Sequence, residues 1–379
     1  MRLQKIVVLV IIAIVLFSCK EKENRNPLLI SLSSQVNNIK IVMDSIENYE
    51  VQIRYTQIDR KNDSIIFTDY DFQVDENNYF YPASTVKFPA AVAALEKLNE
   101  LDTLGRNTAF YVEGDSVNTT IAKAVSEIFA VSDNQANNRL VEFLGFDDLN
   151  NRVKKKGLRP FRISHRLSTR DADEVTTKPL VIYVDDSTTA TSESIINAVP
   201  KQLDLNLIKK GIGFYAGDSL YEEPFDFSYK NYFPVNTQHE LLKKIIFPSQ
   251  FSENERFNLN EDQYSFLLEA MHTLPKNAGY NEEEYYDSYG KFLMYGDRKD
   301  PIPNHIEIYN KVGYAYGTLT DCAYIKDTKN NLDFMVTATI LVNRDGIFND
   351  DKYEYDEIGI PFLAQLGREL YNHELKRKR

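Results

Sequence analysis

Strand-like segments lie near both ends of this chain, and helical patterns dominate the long stretch between them. Near the N-terminus, Val51–Ile58 and Ser64–Phe72 are rich in β-branched and aromatic residues. Near the C-terminus, Ile306–Val312, Thr320–Ile325 and Leu332–Asn343 have the same character and are separated by turn-like residues. Because connections in folded domains are short and do not cross, we predict an α/β chain of the α+β sandwich type. One antiparallel sheet is built from both chain ends, and a mainly helical lobe is inserted between them.

Helical periodicity supports this division of the chain. Apolar residues at spacings of three and four predict helices over Ser31–Met43, from Ser84 towards Gly105, and over Ile121–Phe129, Gln135–Leu144 and Asp262–Thr273, with a C-terminal helix beginning near Pro361. A length of 379 residues suits one large domain or two lobes. We predict an α/β lobe from residues 36–83 and 300–379, and a helical lobe from residues 84–299 with an insertion at about 176–250.

The first residues have the character of a targeting segment. Arg2 and Lys5 precede an apolar run, Ile6–Phe17, which is shorter than the roughly 20 residues that a bilayer span requires. A small residue, Ser18, and then Cys19 follow, as at the end of a secretory signal. This ending resembles the lipobox of bacterial lipoproteins, although a chance cysteine after a signal or anchor helix is the alternative.

The lipobox resemblance implies a location as well as a modification. Residues 1–18 would be a lipoprotein signal peptide, Cys19 would carry a lipid such as palmitate, and residues 19–35 would be a tether. The protein would then be lipid-anchored to a membrane of the cell envelope, either periplasmic or surface-exposed.

Charge and residue content exclude several classes of function. The net charge of −12 makes nucleic acid a poor partner, because such a surface repels phosphate backbones. Two cysteines, Cys19 and Cys322, cannot form a disulfide framework or a cysteine metal cluster. The five histidines lie in no nucleophile-elbow context, and H-E-x-x-H and Walker motifs do not occur. We predict no cofactor and no metal site.

A serine and a lysine three residues apart suggest a different nucleophile. Ser84 lies just before a predicted helix and Lys87 follows on the same face, so that the amine can reach the hydroxyl. The helix N-terminus also offers amide donors and a positive field to an oxyanion. S-x-x-K alone is a weak signal, since Ser288 and Lys291 form a second match that we interpret as accidental.

Two further short motifs follow in the chain. Ser132-Asp133-Asn134 lies between two predicted helices, where a loop could present Ser132 and Asn134 to a cleft. Lys311-Val312-Gly313 lies on a predicted strand, and Gly313 would allow a substrate close to the strand backbone. K-x-G also occurs elsewhere in the chain, so the specific signal is the ordered set of three motifs at a helix start, an interhelical loop and a strand.

This ordered set resembles the penicillin-recognising serine enzymes, above all the class A β-lactamases, with their S-x-x-K, S-D-N and K-T-G motifs. The resemblance covers about residues 36–175 and 255–379 and implies the β-lactamase/transpeptidase-like fold. It implies a small-molecule or peptide substrate, either a β-lactam or a cell-wall peptide.

The resemblance also implies a role for each matched residue. Ser84 would form an acyl-enzyme, with Lys87 as a base made neutral by burial and neighbouring cations. Lys311 would orient Ser132, which relays a proton to the leaving group. The Asn134 side chain and Gly313 would bind the substrate, and the backbone amides of Ser84 and Tyr314 would form the oxyanion hole.

The sequence departs from the family pattern at three places. Val312 replaces a hydroxyl residue, and Tyr314 is bulky where the family has a small residue. No P-E-x-x-L-N segment follows Ser132, so the glutamate that activates the deacylating water is missing unless Asp171 or Glu174 replaces it. Hydrolysis of a peptide, for example by a D-alanyl-D-alanine peptidase, or of an ester is therefore favoured over rapid β-lactam hydrolysis.

Two alternatives stay open at this stage. The chain could be a catalytically inactive, cell-envelope binding lipoprotein with the same fold. The segment Tyr280–Tyr295, crowded with tyrosine and acidic residues, could be a binding surface or metal site, or a solvated lid over the cleft.

Overall fold

The fold was analysed in a computed structural model, which describes residues 26–62, 64–101, 104–185 and 187–377. The predicted signal peptide and Cys19 lie outside these ranges. The helices are α1 (Pro27–Leu32), α2 (Asn37–Met43), α3 (Lys87–Leu98), α4 (Ile121–Ala130), α5 (Asn134–Leu144), α6 (Phe146–Lys155), α7 (Val235–Ile246), α8 (Glu261–His272), α9 (Phe292–Tyr295) and α10 (Ile360–Lys376). In these ranges, no helix has both the length and the apolar character needed to span a membrane.

Strands from both chain ends form the central sheet. The strands are β1 (Gln52–Lys61), β2 (Ser64–Phe72), β3 (Phe110–Val112), β4 (Leu180–Tyr183), β5 (Thr189–Thr191), β6 (Lys209–Lys210), β7 (Gly213–Ala216), β8 (Ser219–Tyr221), β9 (Phe225–Asp226), β10 (Ile306–Ala315), β11 (Thr318–Asp327), β12 (Leu332–Leu341) and β13 (Ile347–Phe348). The sheet order is β10-β11-β12-β1-β2, with every neighbour antiparallel. The predicted fold class, with its sheet built from both ends, is confirmed.

Apolar side chains cover both faces of this sheet. On one face, Leu28 of α1, Ile39 of α2 and Phe362 of α10 pack against strand residues such as Phe334. On the other face, α7 packs against β1, β11 and β12, and α3 lies in the same apolar core. Because the central strands are covered twice, β11 is buried along almost its whole length, whereas the edge strand β2 is mostly exposed.

The N-terminal segment differs from its prediction. The single helix expected over Ser31–Met43 is two helices, and the first, α1, begins within the predicted tether 19–35. Pro27 takes the first helical position and the Asn26 side chain accepts hydrogen bonds from two free amides, which starts the helix there. Leu28 and Leu32, one turn apart, are both buried. The described part of the tether is thus largely a packed helix.

The region predicted as an insertion contains the short strands β4 to β9 and helix α7. With β3 and β13 from outside the region, these strands form small sheets in the orders β3-β4-β5, β13-β7-β8 and β6-β9. An aromatic cluster joins them to the main body, with Tyr81 and Phe227 packed against Tyr316, and Phe348 packed against Phe227. Helix α7, which also falls in residues 176–250, covers the central sheet. The division into lobes itself stays a prediction.

Candidate active site

Ser84 lies in a tight turn that leads into α3. Residues Ala83–Val86 form one turn of 3₁₀ helix, and Ala83 takes a left-handed backbone conformation with a φ of 46°. Non-glycine residues in this region of backbone space carry strain, which is common at functional sites. The Ser84 side chain is half-buried, and its hydroxyl makes no hydrogen bond to any residue that the structure describes. The hydroxyl is therefore available to a ligand.

Lys87 is buried at the start of α3 and reaches the S-D-N loop. Its Nζ donates to the carbonyl oxygen of Ser132, to Ser132 Oγ at 3.2 Å and to Asn134 Oδ1 at 2.7 Å. Within the described ranges it makes no hydrogen bond to Ser84, although the sequence spacing puts the two residues on one face. Burial lowers the pKa of Lys87 to about 7, against the attraction of the Asp133 carboxylate. Near neutral pH a substantial fraction of this amine is unprotonated and able to accept a proton.

Ser132 is held between two amines. It lies in the loop between α4 and α5 with a left-handed φ of 59°, and the side chain of Asp133 caps α5 through the Ala136 amide at 2.6 Å. Ser132 Oγ accepts a hydrogen bond from Lys311 Nζ at 2.8 Å in addition to the one from Lys87. Three motifs that are far apart in sequence therefore meet at this hydroxyl.

Lys311 projects from β10 and is only 3% exposed. Besides Ser132, its Nζ contacts the carbonyl oxygen of Val312 at 2.8 Å. Burial lowers the pKa of Lys311 well below its usual range, and repulsion from Lys87 lowers it further. A neutral or easily deprotonated amine beside Ser132 suits a proton relay.

Gly313 packs against the turn that carries Ser84. A Cβ at this position would lie 2.7 Å from the Pro82 carbonyl oxygen and 2.9 Å from the Ser84 amide nitrogen, which are distances that real Cβ atoms do not adopt. The turn that carries Ser84 is therefore the close neighbour of Gly313 in the structure, and the close approach of a substrate to Gly313 stays a prediction. The next residue, Tyr314, is 55% exposed at the cleft.

Ser84, Ser132 and Asn134 line one cleft of about 840 Å³. Tyrosine side chains from several segments form much of its wall: Tyr81, Tyr289, Tyr314, Tyr316, Tyr353 and Tyr355. Sequence reasoning missed most of them, and the signal that could have pointed to them is the count of 24 tyrosines. Of the segment Tyr280–Tyr295, only Tyr289 lines this cleft. Among the described residues, no group of three or more His, Cys, Asp or Glu side chains could hold a metal ion.

His165 also lines the cleft, although no histidine was among the site residues predicted from the sequence. Its ring lies parallel to Tyr81 with 6.2 Å between ring centroids, and its Nδ1 is 2.6 Å from the Arg166 carbonyl oxygen. Since a carbonyl can only accept, Nδ1 is the protonated nitrogen. Burial lowers the pKa of His165 to about 4, so the ring is neutral near pH 7.

The loop that stands in place of the missing glutamate segment is tightly held. The Asn138 side chain bonds both the amide and the carbonyl of Leu167, at 2.9 and 2.8 Å, and Asn134 Nδ2 donates to Ser168 Oγ at 3.0 Å. The Asp171 carboxylate pairs with Lys178 at 2.6 Å and lines a neighbouring groove.

Arg166 and Thr169 line both that groove and the cleft of Ser84. Neither Asp171 nor Glu174, the two acids suggested as replacements for the glutamate, lines the cleft.

Comparison with known proteins supports the fold. Residues 31–199, which include Ser84, Lys87, Ser132 and Asn134 but not Lys311, match the sequence model of the Beta-lactamase enzyme family. A β-lactamase from Burkholderia ambifaria is similar in structure, with a TM-score of 0.50 and 14% identity over 89% of this chain and 98% of that one. A β-lactamase from Sphaerobacter thermophilus DSM 20745 gives a TM-score of 0.49 and 12% identity over 92% and 96%. No curated protein matches the chain. The fold is thus β-lactamase-like.

Proposed function

We propose that the protein is a serine hydrolase of the β-lactamase superfamily, with a class A-like catalytic domain that forms an acyl-enzyme on Ser84. The observation that carries this proposal is the position of Ser132 Oγ. It lies 3.2 Å from the amine of Lys87 and 2.8 Å from that of Lys311, in the cleft that Ser84 lines. Burying two lysine amines beside one hydroxyl costs free energy of folding. Acid–base catalysis would explain why the fold keeps this arrangement.

The proposed acylation moves one proton around the site. Ser84 Oγ bonds to the substrate carbonyl carbon and its proton passes to the neutral amine of Lys87. Lys87 returns a proton to Ser132, which gives its own to the leaving nitrogen or oxygen as the bond to the acyl carbon breaks. Lys311 holds Ser132 in place, and the backbone amides of Ser84 and Tyr314 would stabilise the oxyanion.

The loop at Leu167 supports a long-lived acyl-enzyme. In the family that the sequence resembles, a glutamate from this part of the chain activates water, whereas neither Asp171 nor Glu174 lines the cleft here. Val312 also offers no hydroxyl to a substrate. A cell-wall peptide, as for a D-alanyl-D-alanine peptidase, or an ester is therefore favoured over rapid β-lactam turnover.

A fluorescent penicillin tests this proposal on protein without residues 1–19. We expect one persistent label per chain, mapped to Ser84 by mass spectrometry and absent from Ser84→Ala. Rapid loss of the label with release of hydrolysed penicillin would instead favour the lactamase reading. Failure of both penicillin and a p-nitrophenyl ester to acylate the unmodified chain would favour the alternative of an inactive, cell-envelope binding lipoprotein.

The proposal includes a place for the enzyme. A lipid on Cys19 would anchor it to the cell-envelope membrane, periplasmic or surface-exposed, because a dozen apolar residues followed by Ser18-Cys19 suit lipoprotein processing. Incorporation of labelled palmitate into the full chain, and its loss in Cys19→Ala, would support this. Equal labelling of both proteins would contradict it.

A further inference from the structure

The second S-x-x-K match leads to a charged group behind the site. Its lysine, Lys291, is 3% exposed, Lys311 is 3% exposed, and the carboxylate of Asp321 is fully buried. A buried charge is costly unless it is paired and hydrogen-bonded. The burial of these three charged groups close to the site therefore needs a physical explanation.

The surroundings of Lys291 fit an ammonium ion. Its Nζ lies 3.0 Å from the Met271 carbonyl oxygen, 2.9 Å from that of Ile308 and 2.6 Å from Asn310 Oδ1. An ammonium has three donors and no acceptor, so each donor meets one oxygen, whereas a neutral amine would direct its lone pair at an oxygen. Burial lowers the pKa of Lys291 to about 7, against the attraction of Asp321, and the three oxygens favour the protonated form.

Asn310 connects this cation to the buried carboxylate. Its Nδ2 donates to Asp321 Oδ1 at 2.8 Å, and Asp321 Oδ2 accepts from the Leu293 amide at 3.0 Å. Asn310 precedes Lys311 on β10, and Asp321 precedes Cys322, the cross-strand partner of Lys311. Because successive side chains of a strand point to opposite faces, the cation–amide–carboxylate chain lies across the sheet from the Lys311 amine.

We propose that Lys291, Asn310 and Asp321 form a buried charged strut, across the sheet from Lys311, that controls how readily the Lys311 amine loses its proton. Lys291 and Asp321 act on that amine with opposite signs. The cation of Lys291 disfavours a second cation at Lys311, and the carboxylate of Asp321 favours it. In the second S-x-x-K motif, the lysine, Lys291, would thus act on the site, and the serine, Ser288, would not.

The groups that act on the Lys311 amine come from several elements. Lys87 approaches from α3 and lowers the pKa of Lys311, as Lys291 does from the segment before α9, while Asp321 on β11 raises it. Ser132 approaches from the α4–α5 loop as a hydrogen-bond partner.

The proposal predicts shifts of opposite sign for two substitutions. Removing the cation in Lys291→Gln should raise the pKa of Lys311, and removing the carboxylate in Asp321→Asn should lower it, each by about half a pH unit or more. If the two substitutions acted only through loss of packing, the pKa of Lys311 would not shift in opposite directions in the two variants.

Lysine NMR measures this without catalysis. The chain would be labelled with ¹³C at lysine Cε, and the Lys311 resonance, assigned by its loss in Lys311→Met, would be titrated in each variant. Lys210→Gln is the matched control, because Lys210 is a buried lysine paired with Glu50 instead of with groups of the site. Midpoints that move in one direction for both variants, or do not move, would overturn the proposal. If Lys291→Gln does not fold, an unchanged or raised titration midpoint of Lys311 in Asp321→Asn would by itself overturn the proposal.

A kinetic readout links the strut to the proposed function, on which this second test rests. The rate of labelling by fluorescent penicillin would be measured against pH, and its midpoint should move in opposite directions in Lys291→Gln and Asp321→Asn. Absence of labelling in the unmodified chain would count against the proposed function, while the NMR midpoints still decide on the strut. If both variants are labelled with the pH profile of the unmodified chain, the strut does not affect catalysis.

Discussion

The chain contains two S-x-x-K motifs, and they differ in what surrounds the serine. Ser84 is half-buried at a cleft of about 840 Å³ and its hydroxyl has no partner among the described residues. Ser288 is 1% exposed, and its hydroxyl donates to the Arg298 carbonyl oxygen. Both lysines are buried, and burial lowers the pKa of each to about 7. A lysine with a lowered pKa therefore does not identify a reactive serine by itself.

The hydrogen-bond partners of the two lysines distinguish the first S-x-x-K motif from the second. Each lysine meets a backbone carbonyl and an asparagine amide oxygen. The third partner of Lys87 is a serine hydroxyl that Lys311 also contacts, whereas the third partner of Lys291 is a second carbonyl. Protons can move between an amine and a hydroxyl, but an oxygen that only accepts cannot pass one on. The first motif is arranged for proton transfer and the second for holding a fixed charge.

The largest expected effect comes from exchanging each serine for alanine. Ser84→Ala should reduce acylation by penicillin or by p-nitrophenyl acetate by about 10⁴-fold or more, because the nucleophile is lost. Ser288→Ala loses one buried hydrogen bond and should cost about 1 kcal/mol of unfolding free energy with acylation unchanged. Stopped-flow labelling and urea unfolding measure the two effects. Equal loss of acylation in both variants would break the distinction between the motifs.

The glycines near the two motifs give the next effect. Gly313→Ala would place a Cβ against the Pro82 carbonyl and the Ser84 amide, so β10 or the turn that carries Ser84 must shift. We expect about 1–3 kcal/mol of destabilisation and a 10- to 100-fold slower acylation. Gly290 lies between Ser288 and Lys291, and a Cβ there would come no closer than 4.0 Å, to the Phe129 carbonyl oxygen. Gly290→Ala is the matched control and should keep its acylation rate; a normal rate in Gly313→Ala would contradict this view of the site.

Much of the frame could be predicted from the sequence. The sequence pattern predicted the long strands, such as Leu332–Leu341, to within a few residues. It also predicted the C-terminal helix, whose start is marked by Pro361. The three motifs also meet in space: Lys87 and Lys311 both contact Ser132. Their order in the chain predicted this meeting, while their catalytic roles stay predictions.

Other parts could not be predicted, for physical reasons. Strands of two to four residues, such as Lys209–Lys210 and Gly213–Ala216, are too short to show a period. The tyrosines of the cleft come from separate segments, so no spacing relates Tyr81 to Tyr316 or Tyr355. Lys291 looked accidental because its partners, Asn310 and Asp321, are supplied by strands that follow it in the chain.

The smallest expected effect concerns the carboxylates that act on the two lysines, Asp133 on Lys87 and Asp321 on Lys291. The Asp133 carboxylate favours the charged form of Lys87, so Asp133→Asn should lower the pKa of Lys87 further. Because the proposed base is the neutral amine of Lys87, the rising limb of acylation against pH should move to lower pH, by about half a unit. Asparagine caps a helix as well as aspartate does, so α5 should keep its start and its stability.

The matched control for this last change is Asp115→Asn. Asp115 pairs with Arg139 of α5 at 3.0 Å but lies in the neighbouring groove, and its loss should leave the acylation profile where it is. Labelling rates between pH 5 and 9 for the three proteins decide the matter. A limb that stays in place, or moves to higher pH, in Asp133→Asn would mean that Lys87 is not the group whose deprotonation limits acylation. The first motif would then resemble the second, with a lysine that serves as a fixed charge.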